Sequence, residues 1–339
     1  MSYETTLAWL YGLESRLGMD FRLARLGPVL DLLDHPERAF PSVHIAGTNG
    51  KGSTAAFLHS ILHAANVRVG LYTSPHLLSF RERIRVDAAR IGEAAVVAHS
   101  ARVREAMAEA GVELTFFDIA TLMAFLEFRE RDVELAVVET GLGGRLDATN
   151  IIDSVIAVIT SIGHDHEEFL GDSLESIAME KAGILREDIP LVTGAIEDRA
   201  LEVIGEARSS HGSAWLKYGR DFGPWTGAQP LAGEHQRVNA AVAVAAARLL
   251  AGRFAAMDAL GHGAFAPPPS TTALGALLGH ITGGADSETF QPMNINFGLL
   301  PPLVVEGKRP KGRDRKRAYT ARALANFETW RGTAKDAAE

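Results

Sequence analysis

The chain has 339 residues, 47% of them hydrophobic and 22% charged, with a formal net charge of −8. That is length for about two domains and apolar material for a sizeable core, and it excludes wholesale disorder. The acidic balance argues against a nucleic-acid coat protein, and zero cysteines exclude disulfides, thiolate metal sites and a thiol nucleophile.

Residues 1–40 carry apolar side chains at three- and four-residue steps (Leu7, Leu10 and Tyr11, then Leu23, Leu26, Val29 and Leu33), which predicts helices. The same start has no basic segment ahead of an apolar core, and no apolar run approaches the ~18 residues of a membrane span. The expectation is therefore a cytoplasmic protein with no membrane partner. "PSVHIAG" is a short β-rich run ending in glycine, and "STAAFLHSILHAA" is a helix with Ser53 or Thr54 near its start. "RVGLYTS" predicts a strand, and residues 92–110 and "TFFDIATLMAFLEFRE" predict helices. "VELAVVET" and "SVIAVIT" are continuous apolar runs of the kind buried on both faces of a parallel sheet. A helix over 173–183 and the strand "PLVTG" follow, and "VNAAVAVAAARLLAG" reads as a buried helix. The alternation predicts a doubly wound α/β domain, with a mostly parallel sheet, to about residue 245.

Past that point the character changes. "GHGAFAPPPS" (261–270) breaks any element, residues 308–317 hold seven Lys or Arg, and a last helix is predicted over roughly 318–331.

"VHIAGTNGKGSTAAFL" (43–58) is shaped like a phosphate cradle, yet it fails the usual G-x-x-x-x-G-K-[ST] pattern twice, at Ile45 and at Gly52. The physics survives the failure. Gly47, Gly50 and Gly52 let the backbone turn and aim N–H groups inward, and Lys51 supplies a point charge. The helix expected to begin near Ser53 adds its positive dipole end. Gly47, Thr48, Asn49, Gly50, Lys51, Gly52, Ser53 and Thr54 are thus the candidate phosphate-binding residues. The alternative is a glycine-rich turn with a solvated lysine.

Six stretches in order, "GTNGKGS", "GLYTSPHLLSFRERIRV", "TFFDIATLMAF", "VVETGLGGRLDATN", "ITSIGHDHEEFLGDSLESIAMEKAGI" and "LAGEHQRVNAAVAV", resemble the Mur ligase superfamily. Within it they resemble folylpolyglutamate synthase/dihydrofolate synthase. The resemblance implies a P-loop-like ATP domain of the Mur ligase central type over residues 1–247. It implies an enzyme that uses ATP and Mg²⁺ to add L-glutamate to dihydropteroate or a folate, through an acyl phosphate. Bringing such anionic groups together costs about 4 kcal/mol per like pair at ~4 Å and an effective dielectric near 20, which metal ions and lysines must offset. Glu139, at a strand end, is a hard ligand suited to Mg²⁺. The resemblance makes Glu139, Ser74 and His166 the metal ligands, with Ser53 a further hydroxyl within reach of the metal–phosphate unit. It also makes Lys51, Lys181 and His166 the catalytic set, with Lys181 carbamylated, makes the phosphate-loop residues 47–54 ATP-binding, and puts Asn239 beside the nucleotide. Arg145 and Asp147, in a glycine loop, are expected to meet the acceptor substrate. Plainer readings stand beside these: Glu139 solvated at a strand end, Lys181 on the surface, Asn239 as a helix cap, and Arg145 and Asp147 as a local pair in a surface loop. Phe116 and Phe117 read as core.

The family's glutamate-binding domain has no counterpart after residue 250. Residues 248–339, an α-rich tail, instead resemble the C-terminal part of the folate- and FAD-dependent tRNA uracil methyltransferase, around "NINFGLLPP". The expectation is a hybrid chain, from gene rearrangement or misassembly, acting as a monomer on small molecules. The alternatives are a Mg-ATP-binding (and folate-binding) module without ligation and, more weakly, a tRNA- or flavin-associated protein.

Overall fold

The computed structural model describes residues 1–17, 23–165, 170–171, 173–208, 213–227 and 231–251. The expected metal ligand His166, the basic run 308–317, the helix over 318–331 and all of the expected tail except 248–251 lie outside the described residues.

Two helices open the chain, α1 (Tyr3–Leu17) and α2 (Leu26–Leu32), where the apolar spacing predicts them. Next come β1 (Ser42–Ala46), α3 (Lys51–Ala64), β2 (Val69–Tyr72), β3 (Ile84–Val86), β4 (Ala89–Arg90), α4 (Glu93–Ala110) and α5 (Phe116–Glu130). Then follow β5 (Leu135–Glu139), β6 (Ser154–Ile159), α6 (Leu174–Ala182), β7 (Leu191–Thr193), α7 (Asp198–Ala207), β8 (Trp215–Lys217) and α8 (Glu234–Ala251). Local chemistry sets several ends. Thr115 and Asp118 form a reciprocal capping pair at the start of α5, and the Ser173 hydroxyl accepts from Ser176 N–H at the start of α6. The weakly patterned strands β3, β4 and β8 and the helix α7 are not anticipated from the sequence.

The strands form one sheet in the order β4-β3-β2-β5-β1-β6-β7-β8, parallel except where β3 and β4 turn back antiparallel at one edge. β1 lies between β5 and β6, and Ile45 pairs with Glu139 in register. The α3 connection carries the chain from β1 to one side, to β2, whereas β5 to β6 crosses to the other. The reversal opens a crevice at the C-terminal ends of β1, β5 and β6.

Every residue of β1 and β5 is buried, because helices cover both faces. On one face, Val43, Ile45, Val137 and Val158 pack with α3 and α8. Most of the residues α8 offers there are alanines, including Ala240, Ala243, Ala246 and Ala247, all buried. On the other face α5 covers Tyr72, Ala136 and Val138, and α6 and α7 cover Ala46, Ala157 and Ile159. Alternation along β5 therefore turns Glu139 toward the α3 face with Val137, and alternation along β1 turns His44 to the opposite face. The boundary expected at residues 247 and 248 falls within α8.

Candidate functional site

The glycine-rich loop joins β1 to α3 at the crevice. Helix α3 begins at Lys51 rather than near Ser53, and Gly50 is its cap, in the left-handed region at φ 83°. Among the described residues no side chain caps the start of α3, and the expected hydroxyl cap by Ser53 or Thr54 is not formed. The positive end of α3 instead faces the loop. Glycine is required at Gly50 twice over: by that φ, and because a Cβ there would lie 2.3 Å from Asn239 Oδ1. At Gly47 a Cβ would lie 2.0 Å from Thr160 Oγ1. Lys51 Nζ donates to Gly47 O at 2.9 Å and reaches Thr48 O at 3.5 Å, so its ammonium lies across the loop it would share with a phosphate.

The segment after β6 holds this loop from the side. Thr48 N–H donates to Ser161 O (2.9 Å), and the Thr48 hydroxyl donates to Gly163 O and accepts from Gly163 N–H, both at 3.0 Å. Asn49 N–H donates to Ser161 Oγ (2.9 Å), while Thr160 Oγ1 and Ser161 Oγ donate to Asn49 O at 2.6 and 3.0 Å. Thr48 therefore shapes the loop with its side chain turned to Gly163. Helix α8 closes the far side: Asn239 Nδ2 donates to Gln236 Oε1 (2.9 Å) and Gln236 Nε2 to Ser53 Oγ (3.2 Å). Asn239 sits in the second turn of α8, packed on Gly50, so the helix-cap alternative does not apply.

Glu139 is 3% exposed, which removes the solvated-carboxylate alternative. Its Oε2 accepts from Ser74 N–H at 3.0 Å. Burial pushes its pKa up to about 7, against the pull of Lys51, the Ser74 N–H and Arg83; the negative charge of Asp147 adds to the push. Lys181, in the last turn of α6, is also 3% exposed and is no surface lysine. Burial, with the charge of Lys51 adding to it, lowers its pKa to about 7, while Asp165 and Asp147 oppose. Lys51, Glu139, Asp147 and Lys181 thus share one electrostatic neighbourhood. Such opposed shifts in a crevice are a mark of functional sites.

The glycine loop after Glu139 departs from expectation. Asp147 is buried, and both its oxygens are taken up within the loop, by Gly141 N–H, Leu142 N–H, Thr149 N–H and the Thr149 hydroxyl. It clasps the loop from within. Arg145, half-exposed, does not pair with Asp147; its Nε and Nη2 donate to Glu180 Oε1 at 3.0 and 2.7 Å. Phe116 and Phe117 pack into the core, as expected.

Several residues beside this site carry no sequence flag of their own. Arg83 is buried and acts on Glu139; its Nε donates to His76 Nδ1 at 2.8 Å, and its guanidinium carbon lies 5.0 Å from the centre of the Phe116 ring. His76 Nε2 and Tyr11 OH are 3.2 Å apart. Tyr11, His76 and Arg83 therefore form a polar and aromatic wall around the β2 end. His76 and Arg83 lie in the "TSPHLLSFRER" block, which marks the neighbourhood but not the residues. Among the described residues no three His, Asp or Glu side chains converge as a metal cage. An oxygen-ligated ion that takes most of its shell from substrate and water needs none.

Comparison with known proteins places these features in a family. Residues 45–222 match the Mur ligase middle domain. The Bacillus subtilis dihydrofolate synthase/folylpolyglutamate synthase is 38% identical over 275 residues, which are 74% of this chain and 64% of that protein. A solved complex of FPGS with AMPPCP and folate superposes with a TM-score of 0.71 at 34% identity, over 75% of this chain and 68% of that one. E. coli FolC, solved with DHPP and ADP, gives a TM-score of 0.65 at 35% identity, over 72% and 61%. The chain spans less than two thirds of the length of such curated relatives, 64% for Bacillus subtilis and 53% for Lacticaseibacillus casei.

Proposed function

The chain belongs to the Mur ligase family, among the folylpolyglutamate and dihydrofolate synthases, and from that premise we propose that it carries the nucleotide site of an ATP-dependent ligase. The ligase joins L-glutamate to the carboxylate of dihydropteroate or of a folate. A relative solved with AMPPCP and folate and another with DHPP and ADP support both substrate types. An acceptor carboxylate oxygen attacks the γ-phosphorus of ATP, ADP leaves, and an acyl phosphate forms. The glutamate amine then attacks the acyl carbon, phosphate leaves and the nitrogen loses a proton.

The chain's own residues supply positioning and charge. The loop amides and the positive end of α3 bind the phosphates. Lys51 swings from Gly47 O to the terminal phosphates, and Asn239 holds the loop's glycine from α8. The oxygen donors Glu139 and Ser74 fit Mg²⁺, since a buried carboxylate pushed up to about 7 gains most from a nearby dication. When bound, Mg²⁺ neutralises phosphate charge. His166 joins this set on the strength of the resemblance alone. At neutral pH a lysine with a pKa near 7 holds much of its amine unprotonated, the form that takes up CO₂ and releases a proton to give a carbamate. That would replace the cation facing Lys51 by an anion. Arg145 and the wall of Arg83, His76 and Tyr11 border the acceptor.

Among the described residues no helix is long and apolar enough to cross a membrane, and the proposal is a cytoplasmic monomer acting on small molecules. The relatives' activities favour ligation over ATP binding alone. The tRNA- or flavin-associated reading rests on the tail, of which only residues 248–251 are described.

The carrying observation is the convergence of Lys51, Glu139 and Lys181 on one phosphate loop. Incorporation of labelled glutamate, with Lys51→Ala and Glu139→Ala as controls, tests the proposal. Nucleotide binding without incorporation leaves only the Mg-ATP module.

A further inference from the structure

β1 carries a fully buried histidine on the face away from the phosphate-loop helix. His44 faces away from α3, and its Nε2 lies 2.8 Å from Thr149 Oγ1. Burial, with the charge of Arg186 adding to it, lowers its pKa to about 3, so the ring is neutral. The direction of each bond follows from donor chemistry. Thr149 Oγ1 is 2.5 Å from Asp147 Oδ1. Burial raises the Asp147 pKa, but backbone N–H groups donate to both of its oxygens, Gly141 and Leu142 to Oδ2 and Thr149 to Oδ1, and oppose that rise. The group therefore accepts throughout, and the Thr149 hydroxyl proton points to Asp147. The hydroxyl's lone pair then faces His44, and His44 must carry its proton on Nε2. Consistent with this, His44 Nδ1 is buried with no hydrogen-bond partner among the described residues. Asp147 Oδ2 in turn accepts from Gly141 N–H (2.8 Å) and Leu142 N–H (2.9 Å), the first amides of the loop that follows Glu139 and Thr140.

We propose that His44 is a positioning residue: through Thr149 and Asp147 it fixes the amides of Gly141 and Leu142, so that the centre of β1 sets the glycine loop at the mouth of the site. The loop's ordering stands on the contacts above; its consequence for turnover rests on the ligase reading.

Two readouts on the full chain test it. Histidine ¹⁵N NMR of the wild type should show His44 as the neutral Nε2-protonated tautomer from pH 5 to 8; an Nδ1-protonated ring overturns the proposal without any variant. Amide exchange at Gly141 and Leu142, measured without ligand, should speed up at least tenfold in Thr149→Val and in His44→Leu. Thr149→Ser and His44→Gln, which keep the hydroxyl and a donor, should restore protection. Unchanged exchange in the first pair, or no rescue by the second, overturns the proposal. In the glutamate assay Thr149→Val should lower kcat at least tenfold with the KM for ATP unchanged, since the phosphate loop keeps its own contacts. An equal rise in that KM would mark general loosening and count against positioning. Exchange that responds as stated in a protein that incorporates no glutamate would sink the ligase reading and leave the His44 relay standing.

Discussion

Glu139→Gln should make the protein more stable and less capable at once. The wild-type carboxyl rises from 4.5 to about 7 on folding because its charge is removed from water. An acid raised in this way gives its full stability below pH 4.5 and loses it as the pH climbs toward 7. At 1.36 kcal/mol per pKa unit, the ionised side chain costs about 3 kcal/mol above pH 7. Glutamine keeps the shape, and its amide oxygen can still accept from Ser74 N–H. The variant should therefore match the wild type near pH 4.5 and exceed it by about 3 kcal/mol at pH 8, a rise of roughly 5–10 °C in melting temperature. Urea or thermal denaturation of nucleotide-free protein between pH 4.5 and 8 measures this. Addition of Mg-ATP should then stabilise the wild type by linkage and the variant much less. A glutamine variant less stable than wild type at pH 8, or one whose advantage does not change with pH, would refute the reasoning that burial dominates at Glu139.

Three further outcomes follow from the same geometry. Gly50→Ala puts a side chain at φ 83° and against Asn239, so it should cost about 1–3 kcal/mol and weaken Mg-ATP binding at least tenfold by calorimetry; full affinity would mean the loop does not need that backbone. Lys181 has the opposite sign to Glu139. A lysine lowered to about 7 costs most when charged at low pH, so Lys181→Met should gain stability at pH 6 and lose that advantage as the pH rises from about 7 toward 10.5, read from denaturation midpoints. Arg145→Ala breaks a half-exposed pair with Glu180 and should shift stability by no more than about 1 kcal/mol, so a large loss of activity with little loss of stability would point to substrate contact.

The strands nearest the site were legible because they are buried on both faces. "LAVV" and "VIAVI" are unbroken apolar runs and "SVHIA" is a short β-rich run ahead of a glycine, and a parallel sheet is their natural setting. β3, β4 and β8 are short and only partly patterned, and they form because a neighbouring strand offers them an edge. Within the site, the phosphate loop was legible because glycine spacing and a lysine are local signals. Its start was misplaced because hydroxyl residues usually cap helices, whereas here Gly50 ends the loop and α3 begins at once. The plainer reading of Arg145 and Asp147 as a local pair fails for a different reason. They are two apart in the chain, but Arg145 finds Glu180 on α6, and Asp147 turns inward to Thr149 and the loop amides. Sequence proximity says nothing of that choice. His44 gave no signal either, because one histidine in an apolar strand looks like filler until Thr149 is brought beside it.

The alanine-lined seam between α3 and α8 has a consequence for genetics. Ala243 and Ala247 have no exposed surface and share a cluster with Leu58 and Leu62 of the helix that begins at Lys51. Even one added methyl group along that seam pushes two rods apart, because close-packed interiors transmit displacement rather than absorb it. Lesions mapped to the middle of α8 should thus masquerade as defects in nucleotide affinity, and an observer who inspected only the crevice would have no suspect to name.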